Sequence, residues 1–158
     1  KERTHCKADG KPDAPLIAYV FTDPNCPYCN QLWREARPMV QSGQLQLRHI
    51  LVAVLRPSSE GKAAAILQSA SPEQALASHA QAYASAHGKN PDTLGIAALP
   101  RIPLSARDAL ANNVSLMTAM GLRATPATIW KNAQGVVQIR TGMPPGLLDE
   151  VMGKSAAK

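Results

Sequence analysis

Two cysteines three positions apart, Cys26 and Cys29, stand where a β-rich run meets a run of helical period, and that junction constrains the fold more than any other feature of the chain. Leu16 to Thr22 (Leu-Ile-Ala-Tyr-Val-Phe-Thr) is apolar and long enough for a buried strand. Asp23-Pro24-Asn25 reads as the turn that ends it. From Pro27 to about Ser42 the spacing becomes helical: Leu32, Ala36, Met39 and Val40 share a face, and Gly43 sits where a C-terminal cap belongs. Pro38 lies inside that run and removes a backbone donor, which predicts a kink.

Cys26 therefore immediately precedes a helix and Cys29 lies one turn inside it. At a helix start several N–H groups lack partners and the helix dipole presents positive potential. A thiolate at Cys26 is stabilised there, with a pKa below the free value of about 8.5 and in the ~3.5–7.5 range of helix-terminal cysteines. The three-residue offset brings the second sulfur within disulfide reach. Cys26 is expected to be the exposed nucleophile that attacks a substrate sulfur, and Cys29, more buried, to resolve the mixed disulfide. Pro27 suits the first helical turn, where its missing N–H would have had no partner. Asn25 and Tyr28 flank the sulfur, and for both a tuning role and a plain surface role stay open.

The other readings of the pair are a structural disulfide or half of a zinc site. A structural zinc site takes four ligands, and only His5 or Cys6 supplements the pair. A disulfide across so short a loop stabilises little. No metal is expected. Cys6, the third cysteine, reads as a free or buried thiol, with intermolecular pairing as the alternative.

Elsewhere, residues 1–14 are polar and read as a lead-in or linker. Leu45 to Leu55 returns to a strand pattern and is followed by an alanine-rich helical region. Ser71-Pro72-Glu73-Gln74 has the make-up of a capped helix start. Residues 88–104 read as a loop, and a helix is expected from Ser105 to Gly121. Ala127–Lys131 and Val136–Thr141, joined by Asn132-Ala133-Gln134-Gly135, predict an antiparallel hairpin, and Pro144 opens a terminal helix. Just before the hairpin, Thr125-Pro126 stands in a tight turn; a cis proline there would expose the Thr125 backbone to pair with an extended substrate beside Cys26. Trp33 and Trp130 read as packing residues. His49, His79 and His87 show no metal-ligand or cysteine-partner spacing and read as ordinary structural or solvated residues.

The element order is α/β and matches a thioredoxin-like fold with a helical insertion at about 58–104, within a domain spanning 15–154. At 158 residues, 45% apolar and 18% charged, the chain has enough apolar material for a single core. No apolar run approaches the roughly 18 residues of a membrane-spanning helix. The net charge of +6 raises the question of nucleic acid, but the 17 basic residues are scattered and form no stripe with stacking aromatics, so no nucleic-acid partner is expected. The start at Lys1 fits processing or excision from a longer chain.

The stretch Phe21-Thr22-Asp23-Pro24-Asn25-Cys26-Pro27-Tyr28-Cys29-Asn30-Gln31-Leu32-Trp33 resembles the active-site segment of the periplasmic DsbC/DsbG thiol:disulfide interchange family. Ala36-Arg37-Pro38, Gly43, Gln46-Leu47-Arg48 and Ala63-Ala64-Ala65-Ile66-Leu67 look like its DsbG-type members, and Thr125-Pro126 falls where the family carries its cis-proline loop. The resemblance runs from about Thr4 to Gly153. It implies an exported catalytic domain that reduces or isomerises non-native disulfides in cysteine-containing protein substrates, with no cofactor beyond the Cys26–Cys29 dithiol. It also implies a DsbD-type membrane electron donor, and in DsbG-like members reduction of cysteine sulfenic acids. Full-length members carry an N-terminal dimerisation domain and linker that this chain lacks, so a monomer is expected, with dimer-dependent isomerase or chaperone function impaired. Cys6 departs from the family pattern, and Val20 stands where thioredoxin itself has a buried acid, which closes that proton route. The rival readings are a DsbA-like dithiol oxidase and a holdase that binds unfolded proteins.

Overall fold

The sheet grows outward from its most apolar strand. The computed structural model describes residues 5–85 and 88–154. Leu16–Thr22 (β2) lies at the centre, parallel to Leu45–Leu51 (β3) on one side and antiparallel to Ala127–Lys131 (β4) on the other. Val137–Thr141 (β5) pairs with β4 across a turn in which Asn132 Oδ1 accepts from the N–H groups of Gln134 and Val136 at 3.0 and 2.9 Å. This side-chain mimic of a backbone turn is why asparagine suits the position.

The fifth strand of the described residues corrects a sequence expectation. Cys6–Asp9 (β1), expected to belong to a polar lead-in, pairs antiparallel with β3, and the strand order is β1-β3-β2-β4-β5. Its composition gives little strand signal; the anchor is Asp9, 1% exposed, ion-paired to Arg37 and hydrogen-bonded to His49. Burial opposes ionisation of this carboxyl, but hydrogen bonds from His49 and then Arg37 outweigh it and hold its pKa at about 2.

The helix expected over residues 27–42 is two: Pro27–Glu35 (α1) and Arg37–Gln41 (α2), broken at Ala36. Pro38 cannot donate to the Arg34 carbonyl, so the ladder is interrupted there. The strand predicted to reach Leu55 stops at Leu51, because the next amides turn to other acceptors: Val52 N–H to the Thr22 carbonyl, then Val54 and Leu55 N–H to Asp23. Pro57–Gln68 (α3) and Pro72–Ala82 (α4) follow, the latter capped by the Ser71 hydroxyl, then short 3-10 turns at Tyr83–Ser85 and Pro91–Thr93. Leu104–Ala119 (α5) starts one residue before the expected Ser105. The terminal helix, Leu147–Val151 (α6), begins after Gly146 and not at Pro144.

One sheet face packs Ala18, Val20, Leu45 and Leu47 against Leu32, Ala36 and Val40 of α1 and α2 and Leu147 and Val151 of α6. The other packs Phe21, Ile50 and Ala127 against Met117 of α5. A further cluster, with Trp33, Ala63, Ile66, Leu76, Ala80 and Leu110, joins the outer side of α1 to α3, α4 and α5. Burying a leucine- or phenylalanine-sized side chain contributes about 1.5–3 kcal/mol, so α1 is clamped from both sides. The antiparallel pairing of Phe21 with Ala127 sets the residues following β2 beside those preceding β4. That pairing positions the site.

Candidate active site

Cys26 is the N-cap residue of α1, in extended backbone (φ −85°, ψ 115°), and its sulfur occupies the place of a capping oxygen, accepting from the Cys29 N–H at 3.2 Å. Pro27 begins the helix, and both Pro27 and Tyr28 are exposed, Tyr28 to 58%. Asn30 turns its amide back to the carbonyls of Pro24 and Cys26 at 3.1 and 2.9 Å, tying the turn to the first helical turn. From the neighbouring strand's entry, the Thr125 carbonyl accepts from the Cys26 thiol at 3.4 Å; the Thr125–Pro126 bond is cis and Pro126 is buried. The structure thus brings together Cys26, Cys29 and Thr125, residues drawn from two segments about a hundred positions apart.

The two sulfurs differ in electrostatics. Cys26 is lowered to about 7 from its ordinary value of 9.0: a hydrogen bond from the Cys29 thiol is the largest influence, burial works against it, and the Thr125 side chain, distinct from its carbonyl, and the backbone N–H groups of Cys29 and Tyr28 add to the lowering. Two pKa units correspond to roughly 2–3 kcal/mol in favour of the thiolate. Burial pushes the Cys29 thiol well up, and its hydrogen bond to the Cys26 sulfur pushes the same way, against smaller opposing contributions from Thr22 and the Asp23 backbone. One sulfur is tuned to ionise and the other to keep its proton.

Exposure does not distinguish them. Cys26, expected to be exposed, is 3% exposed, against 4% for Cys29. The Thr125 carbonyl and the start of α1 cover it, and the asymmetry of the pair comes from hydrogen bonds that favour the Cys26 thiolate and from desolvation that weighs most on Cys29. Asn25, for which a surface role stood open, is 4% exposed. Its amide is bound on all sides: Oδ1 accepts from Lys62 Nζ at 2.8 Å and the Tyr83 hydroxyl at 3.1 Å, and Nδ2 donates to the hydroxyls of Ser58 and Ser59 at 3.0 Å each.

The sequence reading missed the polar groups behind the turn. Asp23, fully buried, accepts at Oδ1 from the Asn25 N–H and the Ser59 hydroxyl and at Oδ2 from the Val54 and Leu55 N–H groups. His79, read as ordinary, is 1% exposed and bonds the Pro24 carbonyl through Nε2. Its Nδ1 accepts from the Ile96 N–H at 3.0 Å, which fixes the proton on Nε2. A signal was available: Lys62 interrupts Gly61-Lys62-Ala63-Ala64-Ala65-Ile66, and His79 shares a helical face with Leu76, Ala80 and Tyr83. His49 bonds Asp9 of β1, and His87 lies outside the described residues. Among the described residues no group of three or more His, Cys, Asp or Glu side chains is placed to hold a metal ion.

The sequence matches the thioredoxin-like domain family over residues 4–156. It is 46% identical over 147 residues to the thiol:disulfide interchange protein DsbG of Pseudomonas aeruginosa, covering 92% of this chain and 54% of that protein. It is 41% identical over 143 residues to the DsbG of Escherichia coli K12, covering 90% and 54% respectively. The chain spans about half the length of these curated relatives. In fold it is similar to a periplasmic thioredoxin-like protein of Salmonella enterica serovar Typhimurium, with a TM-score of 0.72 at 21% identity over 93% of this chain and 87% of that one.

Proposed function

The chain belongs to the thioredoxin-like domain family, and from that premise we propose that it is the catalytic domain of a DsbG-type thiol:disulfide interchange protein, acting in the periplasm in the reductive or isomerising direction. The observation that carries the reading is the Cys26 sulfur in the N-cap position, with the Cys29 N–H at 3.2 Å and the Thr125 carbonyl at 3.4 Å. The Cys26 thiolate attacks one sulfur of a substrate disulfide; a Cys26–substrate S–S bond forms, the substrate S–S bond breaks, and the other sulfur leaves as a thiolate. Cys29 then attacks Cys26, forming the Cys26–Cys29 disulfide and releasing the second substrate thiolate, while the proton it loses passes to a departing thiolate. The substrate gains two electrons and the dithiol loses two.

A sulfenic acid on a substrate cysteine enters the same cycle. Its S–O bond breaks as the Cys26–substrate S–S bond forms, water leaves, and Cys29 releases the reduced substrate thiol. A DsbD-type membrane donor returns the electrons. Because the Thr125 carbonyl covers the Cys26 sulfur, an incoming extended chain takes over that contact as its own sulfur approaches, which suits a polypeptide substrate.

The direction is supported by the similarity to DsbG interchange proteins at 46% and 41% identity, while the Cys26 thiol, lowered to about 7, supplies the attacking thiolate. The test compares the rate at which the reduced domain reduces a protein disulfide with the rate at which the oxidised domain oxidises a protein dithiol, since direction follows the exchange partners and their potentials. Disulfide reduction is expected to be the faster, with activity abolished in Cys26→Ala. Dithiol oxidation outpacing reduction would make the domain a dithiol oxidase, and an unchanged rate in Cys26→Ala would end the assignment.

A further inference from the structure

Lys62 is fully buried on α3, and none of the ion pairs among the described residues includes it. Its three ammonium hydrogens meet three neutral oxygens: Asn25 Oδ1 at 2.8 Å, the Pro91 carbonyl at 2.7 Å and the Leu94 carbonyl at 3.0 Å. A neutral amine has only two hydrogens and would aim its lone pair at the third oxygen, so the cage is built for the charged form. Burying a lysine is costly unless the surroundings return something for it. A methionine of similar length would leave these three oxygens without the donor, so the cage asks what the charge does there.

The contact with Asn25 supplies one. Asn25 directly precedes Cys26, and its N–H caps onto Asp23 Oδ1 while the Cys26 N–H bonds the Asp23 carbonyl. The ammonium fixes which way the Asn25 amide faces, since a flipped amide would set its NH2 against Nζ. With Oδ1 held by Lys62 and Tyr83 and Nδ2 held by Ser58 and Ser59, the residue before the nucleophile has no rotational freedom. His79 holds the Pro24 carbonyl in the same way.

We propose that Lys62 is the positioning residue of the nucleophile: through Asn25 it fixes the turn that keeps the Cys26 sulfur in line with the first N–H groups of α1. This deepens the thiol–disulfide reading above and rests on it. The charged and titratable groups around the network are Asp23 in the turn, Arg56 before α3, Asp92 in the Pro91–Thr93 turn, His79 on α4 and Tyr83 beyond it, with Cys29 facing Cys26 itself. Of these, only Lys62 and Tyr83 bond Asn25 Oδ1, and only Lys62 brings a charge to it.

The experiment measures the pH dependence of Cys26 alkylation by iodoacetamide in Lys62→Met, in Lys62→Arg, and in Leu76→Ala as a destabilised control on the same helical block. Alkylation reads the thiolate without any interchange partner, so a protein inactive in every interchange assay would still test Lys62. Lys62→Met is expected to move the Cys26 midpoint upward and slow alkylation at pH 6 severalfold, as the turn loosens and the N–H groups that favour the thiolate lose their alignment. Lys62→Arg is expected to recover part of the loss, and Leu76→Ala to lower the melting temperature with the midpoint unmoved. Should Lys62→Met fail to fold, the Nζ resonance of the unaltered protein reads the same coupling, because linkage is reciprocal: it is expected to shift with the midpoint that alkylation gives for Cys26. An unmoved midpoint in folded Lys62→Met, an equal shift in Leu76→Ala, or a flat Nζ resonance across the Cys26 titration would each overturn the proposal.

Discussion

Replacing Cys29 by alanine separates what its thiol does for Cys26 from what its backbone does. The thiol's hydrogen bond is the largest influence holding Cys26 at about 7, while the backbone N–H of the same residue stays at 3.2 Å whatever the side chain. A hydrogen bond to a charged acceptor contributes about 1.5–3 kcal/mol, and one pKa unit is about 1.4 kcal/mol. Water replaces part of the lost donor, so the expected rise in Cys26 is about one unit. At pH 6 the thiolate fraction then falls about tenfold, and above pH 9 variant and parent converge. The assay is the second-order rate of iodoacetamide alkylation between pH 5 and 10, on a Cys6→Ser background so that a single sulfur reports. Cys29→Ser restores an O–H donor and is expected to return the midpoint most of the way. The same shift has a stability sign. Cys26 is depressed from 9.0 in the folded reduced protein, so its contribution is present above pH 9 and lost as pH falls through about 7. In Cys29→Ala that window narrows, and urea unfolding should show a smaller gain between pH 7 and 9. An unchanged or lowered Cys26 midpoint in Cys29→Ala would refute the reasoning.

Three further outcomes follow from other contacts. Asp9→Asn should cost about 3 kcal/mol at pH 7 in urea unfolding, since it leaves Arg37 and His49 without their buried carboxylate; because Asp9 is depressed to about 2, the gap to the parent should hold above pH 4 and close as pH falls through 2. Gly95→Ala and Gly121→Ala impose similar left-handed strain, both residues lying at φ +72°, but a Cβ at Gly95 falls 2.1 Å from His79 Nδ1 whereas one at Gly121 meets nothing within 4 Å. Gly95→Ala should therefore be the less stable by about 2 kcal/mol or more in thermal unfolding, with disturbance of the His79 ring in its NMR spectrum. Cys6→Ser, at a half-buried position on the edge strand, should leave the disulfide-reduction rate unchanged.

Long, strongly patterned elements were legible in the sequence. Leu16–Thr22 announced itself by composition, the hairpin by Asn132 and Gly135 between two β-rich runs, and the start of α1 by Pro27 after Cys26. Elements held by distant partners were not. Cys6–Asp9 is a strand because β3 pairs with it and because Asp9 finds Arg37 and His49, neither of which is adjacent in sequence. Leu45–Leu51 ends early because Asp23 captures the next amides, a competition that periodicity does not encode. The same holds at the site. The spacing of Cys26 and Cys29 fixed their relation to the helix, but the cover over Cys26 comes from Thr125, about a hundred residues on, and the turn behind it is held by Lys62, His79 and Tyr83 from separate helical segments. A buried lysine among alanines and a histidine on an apolar helix face were the available hints.

The division of labour between the two sulfurs is tested most directly by trapping the intermediate. Cys29→Ala is incubated with a disulfide-bearing peptide, quenched with acid, digested and mapped by mass spectrometry. A peptide adduct on Cys26 that persists in Cys29→Ala, and that the parent clears by forming the Cys26–Cys29 disulfide, is the predicted result. An adduct that builds on Cys29 in Cys26→Ala at the parent's rate, with none on Cys26 in Cys29→Ala, would contradict it.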